Sequence, residues 1–207
     1  MKVIGITGSS GSGKTTVSTI IKNNTGCRII SADAIARDLN VPGEKYYDET
    51  LELLGTDILK EDKKVDRKKM ATILFSDEEL REKMNAITSK YVGGEIKKRI
   101  QTVRKKNVDE LLVIDAPLLF ECGLENVCDY IIAVVCKEDT LKIQRICHRD
   151  RLRTNQAKSR LEAQHDDEYY TSRANYIVDN SRETSYEHLI KRVIKIIHEI
   201  KGDKEKK

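Results

Sequence analysis

The sequence predicts an α/β three-layer sandwich: a five-stranded parallel sheet covered by helices on both faces. Three observations predict it. Short apolar runs recur along the 207 residues and are separated by stretches with helical periodicity. These runs are continuous rather than alternating, which suits strands buried on both faces and joined by right-handed crossovers. The first run opens into a glycine-rich loop that leads straight into an amphipathic stretch.

The first predicted strand covers residues 3–7. Gly8-Ser9-Ser10-Gly11-Ser12-Gly13-Lys14-Thr15 follows and fits G-x-x-x-x-G-K-[ST], the phosphate-cradling P-loop. Val17, Ile20 and Ile21 come next at helical spacing. A strand that breaks into such a loop and then a helix points several backbone N–H groups at one spot. The helix N-terminus adds partial positive charge there. Glycine–serine runs also make plain linkers. Here, however, strand, Lys-Thr pair and helix all stand where a P-loop has them, so the predicted fold is a P-loop NTPase sandwich. Lys14 is placed to reach the outer phosphates and the Thr15 hydroxyl to ligate magnesium. Ser10, Gly11, Ser12, Gly13 and Thr16 complete the expected nucleotide-binding set.

The second strand is Arg28–Ser31, with Asp33 just beyond it. Strand ends at this edge of an open sheet project into the ligand crevice. A carboxylate there can take the proton of an acceptor hydroxyl as phosphate transfers, or it can cap the helix Ala34-Ile35-Ala36-Arg37. Arg37 shares a helix face with Asp33 and suits an acceptor phosphate or a nearby acid. Residues 33–98 read as a helical insertion. Pro42-Gly43 breaks the chain, Gly55 can stop a helix and Asp66 can cap one. Ser76-Asp77-Glu78-Glu79 reads as a capping box opening a helix to about residue 101. Leu80, Met84, Ile87, Tyr91 and Ile96 form its apolar stripe.

Leu111–Asp115 is the third strand, and Asp115 at its end is a candidate magnesium carboxylate or a cap for the turn at Pro117. Tyr130–Val135 and Tyr176–Asp179 are the fourth and fifth strands. Residues 145–173 are crowded with arginines and read as a lid. Arg145 and Arg149 lie four apart, hence on one helix face, with Arg151, Arg153 and Arg160 following. Each alone is most simply a solvated charge; clustered after the fourth strand they suit phosphate contact or stacking on a base. A last helix over residues 185–200 packs Leu189, Ile190, Val193, Ile196, Ile197 and Ile200 on the sheet. The core is then residues 1–32, 99–144 and 174–201, in a single domain with insertion and lid.

Composition bounds the function classes. Hydrophobic content of 39% supports a real core, and 35% charged residues suit solvated helices. A net charge of +4 fits an anionic ligand without arguing for nucleic acid. The five cysteines form no C-x-x-C pair, which fits reduced thiols in a cytoplasmic protein, and no zinc spacing is visible. No signal peptide or membrane-length apolar run is read. His148, His165, His188 and His198 neighbour charged residues on predicted helices and carry no catalytic expectation. The terminal residues 201–207 read as a frayed, soluble tail.

Taken together, these pieces resemble the dephospho-coenzyme A kinase family over most of the chain, from Ile4 to about Ser181. The resemblance rests on the P-loop, Ser31-Ala32-Asp33-Ala34-Ile35-Ala36-Arg37, Pro42-Gly43, Phe75-Ser76-Asp77 and Asp115-Ala116-Pro117-Leu118-Leu119-Phe120-Glu121. Gln144-Arg145, Arg149-Asp150, Arg160 with Gln164, and Ile177-Val178-Asp179-Asn180-Ser181 add to it. It implies transfer of the γ-phosphate of ATP to the 3′-hydroxyl of dephospho-CoA, giving CoA and ADP. Asp33 would be the general base, and the P-loop would hold phosphates and Mg2+. Arg149, helped by Arg145, would contact the nucleotide from the lid. Arg37 and the turn Pro117, Leu118 and Glu121 would line the acceptor site. Small-molecule substrates are implied, with neither nucleic acid nor membrane as partner and a monomer favoured. The chain departs from the family at Ser9-Ser10 (usually glycine and a bulkier residue), at Ser89-Lys90 (usually His-Pro), at Ala174-Asn175 (usually Ala-Asp) and at Arg182 (commonly glycine).

Rival readings differ at identifiable places. A nucleoside monophosphate kinase would share Lys14 and the lid but not the insertion. A GTPase switch finds a faint echo in Cys136-Lys137-Glu138-Asp139, yet Asp115-Ala116-Pro117-Leu118 lacks the glycine of D-x-x-G. A catalytically silent nucleotide-binding protein is the third.

Overall fold

The computed structural model describes residues 1–106 and 110–202. Residues 203–207, most of the expected tail, lie outside the described residues. Among those described, five strands form one all-parallel sheet in the order β2-β3-β1-β4-β5. They are β1 (Lys2–Thr7), β2 (Arg28–Ser31), β3 (Leu111–Asp115), β4 (Tyr130–Val135) and β5 (Tyr176–Asp179).

The continuous apolar runs have a direct structural cause. Successive strand residues point to opposite faces, and both faces are covered. Val3, Leu112, Ile114, Ile131 and Ala133 pack on one side with Ile96, Ile100 and Val103 of α6 (Gly94–Lys106). Ile4, Ile6, Leu111, Val113, Ile132 and Val134 pack on the other. There they meet α1 (Lys14–Thr25) and α10, Tyr186–Lys201. The expected stripe Leu189, Val193, Ile196, Ile197 and Ile200 is buried, with Ile190 partly so. Each such side chain contributes about 2 kcal/mol through burial.

The insertion carries α2 (Ala32–Leu39), α3 (Lys45–Leu54), α4 (Arg67–Ser76) and α5 (Glu78–Thr88). Gly55 closes α3, and the Asp66 carboxylate caps α4 by accepting from the N–H groups of Lys68 and Lys69. The expected capping box at Ser76 does not form. Ser76 ends α4 and its hydroxyl donates back to the Ile73 carbonyl at 2.9 Å. Asp77 is the cap of α5 instead, accepting from the Leu80 N–H at 3.0 Å. A carboxylate one position later outcompetes the hydroxyl because α4 runs right up to it. Nor is α5 one helix to residue 101. A single π-type turn, Ser89–Gly93, joins it to α6, which ends at Lys106. The departure Ser89-Lys90 falls on this turn. Lys90 Nζ pairs with Glu49 Oε1 on α3 at 2.6 Å, and the Tyr91 hydroxyl donates to the same oxygen at 2.5 Å.

The arginine-rich stretch carries three helices: α7 (Asp139–Asp150), α8 (Thr154–Glu162) and α9 (Asp167–Thr171). Arg151, in the left-handed region at φ 52°, turns the chain out of α7. His165 lies in the turn between α8 and α9, not on a helix. α8 packs against both α7 and α4, so the arginine-rich stretch meets the helices of residues 33–98. No described helix is long and apolar enough to cross a membrane.

The cap assignment is testable by denaturant unfolding. Asp77→Ala is expected to cost about 1 kcal/mol, and Ser76→Ala less than about 0.5 kcal/mol; the reverse order would restore Ser76 as the cap.

Candidate active site

Parallel register brings the functional segments to one edge. Asp115 pairs with Ser31 on one side and Ile6 on the other, and Asp179 pairs with Val135. The P-loop after β1, Asp33 after β2, Asp115 ending β3 and Asn180 after β5 therefore share the C-terminal edge.

Four of the loop's carbonyls are held by side chains of the protein. Lys14 Nζ donates to the Gly8 and Ser9 carbonyls at 2.8 and 2.9 Å. Arg145 Nη1 donates to those of Gly11 and Ser12 at 3.1 and 3.4 Å, and its Nη2 to that of Asn180 at 3.0 Å. Asn180 Nδ2 adds a bond to the Ser12 carbonyl at 2.8 Å. Gly13, at φ +106°, lies so close to this amide that a Cβ would come within 2.0 Å of Asn180 Nδ2. The N–H groups behave oppositely. Those of Gly11, Gly13, Lys14, Thr15 and Thr16 have no acceptor among the described residues. Ser10 and Ser12 stand apart from this set: the Ser10 N–H donates to Gln164 Oε1 at 2.7 Å and the Ser12 N–H to the Ser9 carbonyl at 3.3 Å. Five free donors at a helix N-terminus above a buried ammonium form an anion cup.

Charge around the cup is poised. Burial pushes Lys14 down to about 8, opposed by attraction to Asp115 and Asp33 and assisted by repulsion from Arg149 and Arg160. Burial pushes Asp115 up, while Lys14 pulls it down and Asp33 adds to the rise. Ser18 Oγ donates to Asp115 Oδ2 at 3.4 Å. Asp33 is exposed in the first turn of α2 and is not its cap. Ser31 takes that duty, its hydroxyl accepting from the Ala34 N–H at 3.3 Å. The Asp33 carboxylate is thereby relieved of capping. At the end of α7, Arg149 grips Asp150 through Nε and Nη2 at 2.9 and 2.8 Å, and Arg160 Nη1 on α8 shares that carboxylate at 2.7 Å.

An open cleft of about 670 Å³ runs from the cup to α7 and α10. Gly11, Gly13, Lys14, Thr15, Thr16, Arg145 and Arg149 line it with Gln144, His148, Asn180 and Tyr186. On the other side, a cavity of about 70 Å³ is bounded by Asp33, Ala36, Thr88, Val92, Pro117, Leu118 and Cys122. Arg37 is exposed one turn along α2 and makes no ion pair among the described residues. Glu121 Oε1 lies 3.6 Å from His165 Nε2 in the turn before α9, and burial raises its pKa. Arg151 and Arg153 are exposed in the turn before α8. Two oxygen donors, Thr15 and Asp115, flank the cup, a set that suits a hard divalent cation retaining its own waters.

A family model described as dephospho-CoA kinase matches residues 2–186. The chain belongs to the dephospho-CoA kinase family. A curated relative of that name from Moorella thermoacetica is 37% identical over 178 residues, 86% of this chain and 83% of the relative. The solved dephospho-CoA kinase from Campylobacter jejuni superposes with TM-score 0.66 at 29% identity, covering 98% of each chain. A shikimate kinase from Acinetobacter baumannii, at 16% identity and TM-score 0.55, shares the P-loop kinase fold alone.

Asn180 and Gln164 entered the sequence comparison without a role, yet one braces the loop and the other holds it to the lid. Asn180 follows a strand end at the ligand-binding edge, a signal that could have singled it out. Nothing in the sequence marks Tyr186, exposed at the mouth of the cleft, or the Ser31 cap.

An anion beside Lys14 raises its pKa again. Between pH 8 and that higher value the empty site lacks a proton that the filled site holds. Nucleotide binding should therefore take up protons there, and affinity should fall as pH rises through this window. Calorimetry near pH 8.5 in buffers of different ionisation enthalpy reads the uptake directly; net release would contradict the burial of Lys14.

Proposed function

We propose that this chain transfers the γ-phosphate of ATP to the 3′-hydroxyl of dephospho-CoA, with Asp33 as general base and the P-loop as the phosphate site. The observation that carries the assignment is the pairing of two features on one sheet edge. One is a cup of unpaired N–H groups over Lys14; the other is a carboxylate relieved of helix capping. The family membership supplies ATP and dephospho-CoA as the substrates.

In this reading the N–H groups of Gly11, Gly13, Lys14, Thr15 and Thr16 accept the phosphate tail, and Lys14 leaves the Gly8 and Ser9 carbonyls for it. The adenosine lies in the larger cleft beside Arg145 and Asn180. Thr15 and Asp115 would hold Mg2+, which supplies charge neutralisation on the transferring phosphate. A cation there also keeps Asp115 ionised against its burial. Arg149 adds positive charge from the lid. The acceptor sugar enters from the side of Ala36, Pro117 and Leu118, under the insertion of residues 33–98. Its 3′-hydroxyl then reaches Asp33, which takes the proton as the oxygen attacks. Arg37, exposed and without an ion pair among the described residues, meets the acceptor's phosphates, and Glu121 borders the same entrance beside the lid of residues 145–173.

A coupled ADP-release assay with dephospho-CoA present, then omitted, then replaced by nucleoside monophosphates tests the activity. Turnover should depend on dephospho-CoA; equal turnover of a nucleoside monophosphate would replace the reading. Asp33→Asn is expected to keep ATP binding and to lose roughly a hundredfold or more in transfer, the size of a general-base contribution. Unchanged turnover in that variant would remove Asp33 from the mechanism.

A further inference from the structure

The P-loop departs from its family at Ser9-Ser10, and both hydroxyls are used. Ser10 is 4% exposed. Its Oγ accepts from Arg160 Nε at 3.1 Å. Arg160 Nη1 donates to Asp150 Oδ2 at 2.7 Å, and its guanidinium lies 5.6 Å from the centre of the Phe75 ring on α4. Among the described residues, Nη2 is the one guanidinium nitrogen with no hydrogen-bond partner. Ser9 Oγ donates to Asp167 Oδ1 at 3.3 Å, and Gln164 holds the Ser10 N–H, so the chain on either side of the turn at His165 is tied to the same loop. Asp150 is fixed in turn by two bonds from Arg149.

From this geometry we infer that Ser10 is a positioning residue, which fixes the orientation of the Arg160 guanidinium between the P-loop and Asp150. The inference rests on the reading of the site given above. Two of the three nitrogens are tied by Ser10 and Asp150, a planar group so held cannot rotate, and its third nitrogen keeps free hydrogens. Arg160 Nε bonds the residue next to Gly11 of the cup, and its Nη1 shares Asp150 with Arg149, which lines the cleft at that cup. That is the mouth of the site from which, in the reading above, a phosphoryl group leaves the cup for an alcohol at Asp33. There, a guanidinium stabilises charge only if it is oriented before the reaction. Glycine or an apolar side chain at these two positions offers no acceptor to Arg160. The lid arginine is therefore set here by a hydroxyl of the phosphate loop itself.

The test is a double-mutant cycle on Ser10→Ala and Arg160→Ala, with Ser10→Thr as the rescuing variant. Wild-type turnover of dephospho-CoA is measured first and reports on the function alone. The cycle then uses whichever acceptor the wild type phosphorylates, so that failure of one reading is distinct from failure of the other. Ser10→Ala is expected to lower kcat about tenfold, the worth of one buried hydrogen bond to a charged group. The KM for ATP should change by less than about twofold, because the guanidinium that Ser10 orients acts on the transferring phosphoryl group rather than on bound ATP. Ser10→Thr keeps the hydroxyl and should restore most of the rate. Ser10→Ala should cost nothing further in an Arg160→Ala background, and Arg160→Lys, which loses the fork, should be equally insensitive to it. Unchanged kcat in Ser10→Ala, a loss confined to KM, or effects of the two alanine variants that multiply would each overturn the proposal.

Discussion

The site depends on the direction in which the peptide units of the P-loop point. Four carbonyls, from Gly8, Ser9, Gly11 and Ser12, turn inward and meet Lys14, Arg145 and Asn180. A peptide unit whose oxygen is held inward directs its N–H elsewhere, and in a close-packed interior each of these groups needs a partner. The unit between Ser12 and Gly13 shows it: its oxygen is held by Arg145 and Asn180 and its nitrogen is free, as are those of Gly11, Lys14, Thr15 and Thr16, whereas the Ser10 and Ser12 nitrogens find acceptors within the protein. Two positive side chains thus do structural work on oxygen and, by that means, present nitrogen to an anion. Arg145, expected to act on the nucleotide directly, acts first as a brace between the loop and the end of β5.

Sheet register then sets which chemistry meets this loop. Because β3 lies between β1 and β2, Asp115 sits beside the loop, and Asp33 reaches the same edge two residues after Ser31. Both acids pull the Lys14 pKa up against its burial, and Asp33 adds to the rise of Asp115. The two added helical regions touch through α4 and α8. Asp150 links the two lid arginines, so Arg149 and Arg160 share one anchoring carboxylate.

Much of this was legible in the sequence. Burial on both faces wrote the strands as unbroken apolar runs, and four of the five have the expected bounds; β1 starts one residue earlier, at Lys2. The P-loop was legible because its glycines answer to backbone geometry, as the Gly13–Asn180 approach shows. What could not be read is what depends on competition or long-range contact. Ser76 and Asp77 are both good caps, and only the end of α4 decides between them. Ser31 and Asp33 both flank the start of α2, and the hydroxyl wins that contest. The bonds of Ser9 and Ser10 to the lid join residues more than 140 positions apart, a separation no local pattern records.

The π-type turn at Ser89–Gly93 has a consequence for how this chain can vary in length. Such a turn holds one residue more than the α-helical spacing on either side allows. Removing that residue would rotate everything downstream by about 100°. Ile96, Ile100 and Val103 would then swing away from the sheet they now cover, while Tyr91 would lose Glu49. Substitutions that keep the count are absorbed, as Ser89-Lys90 illustrates with its new pair to α3. Gaps are not absorbed, and the turn acts as a phase lock: sequence may drift through it, but its residue number is fixed by the layer beneath.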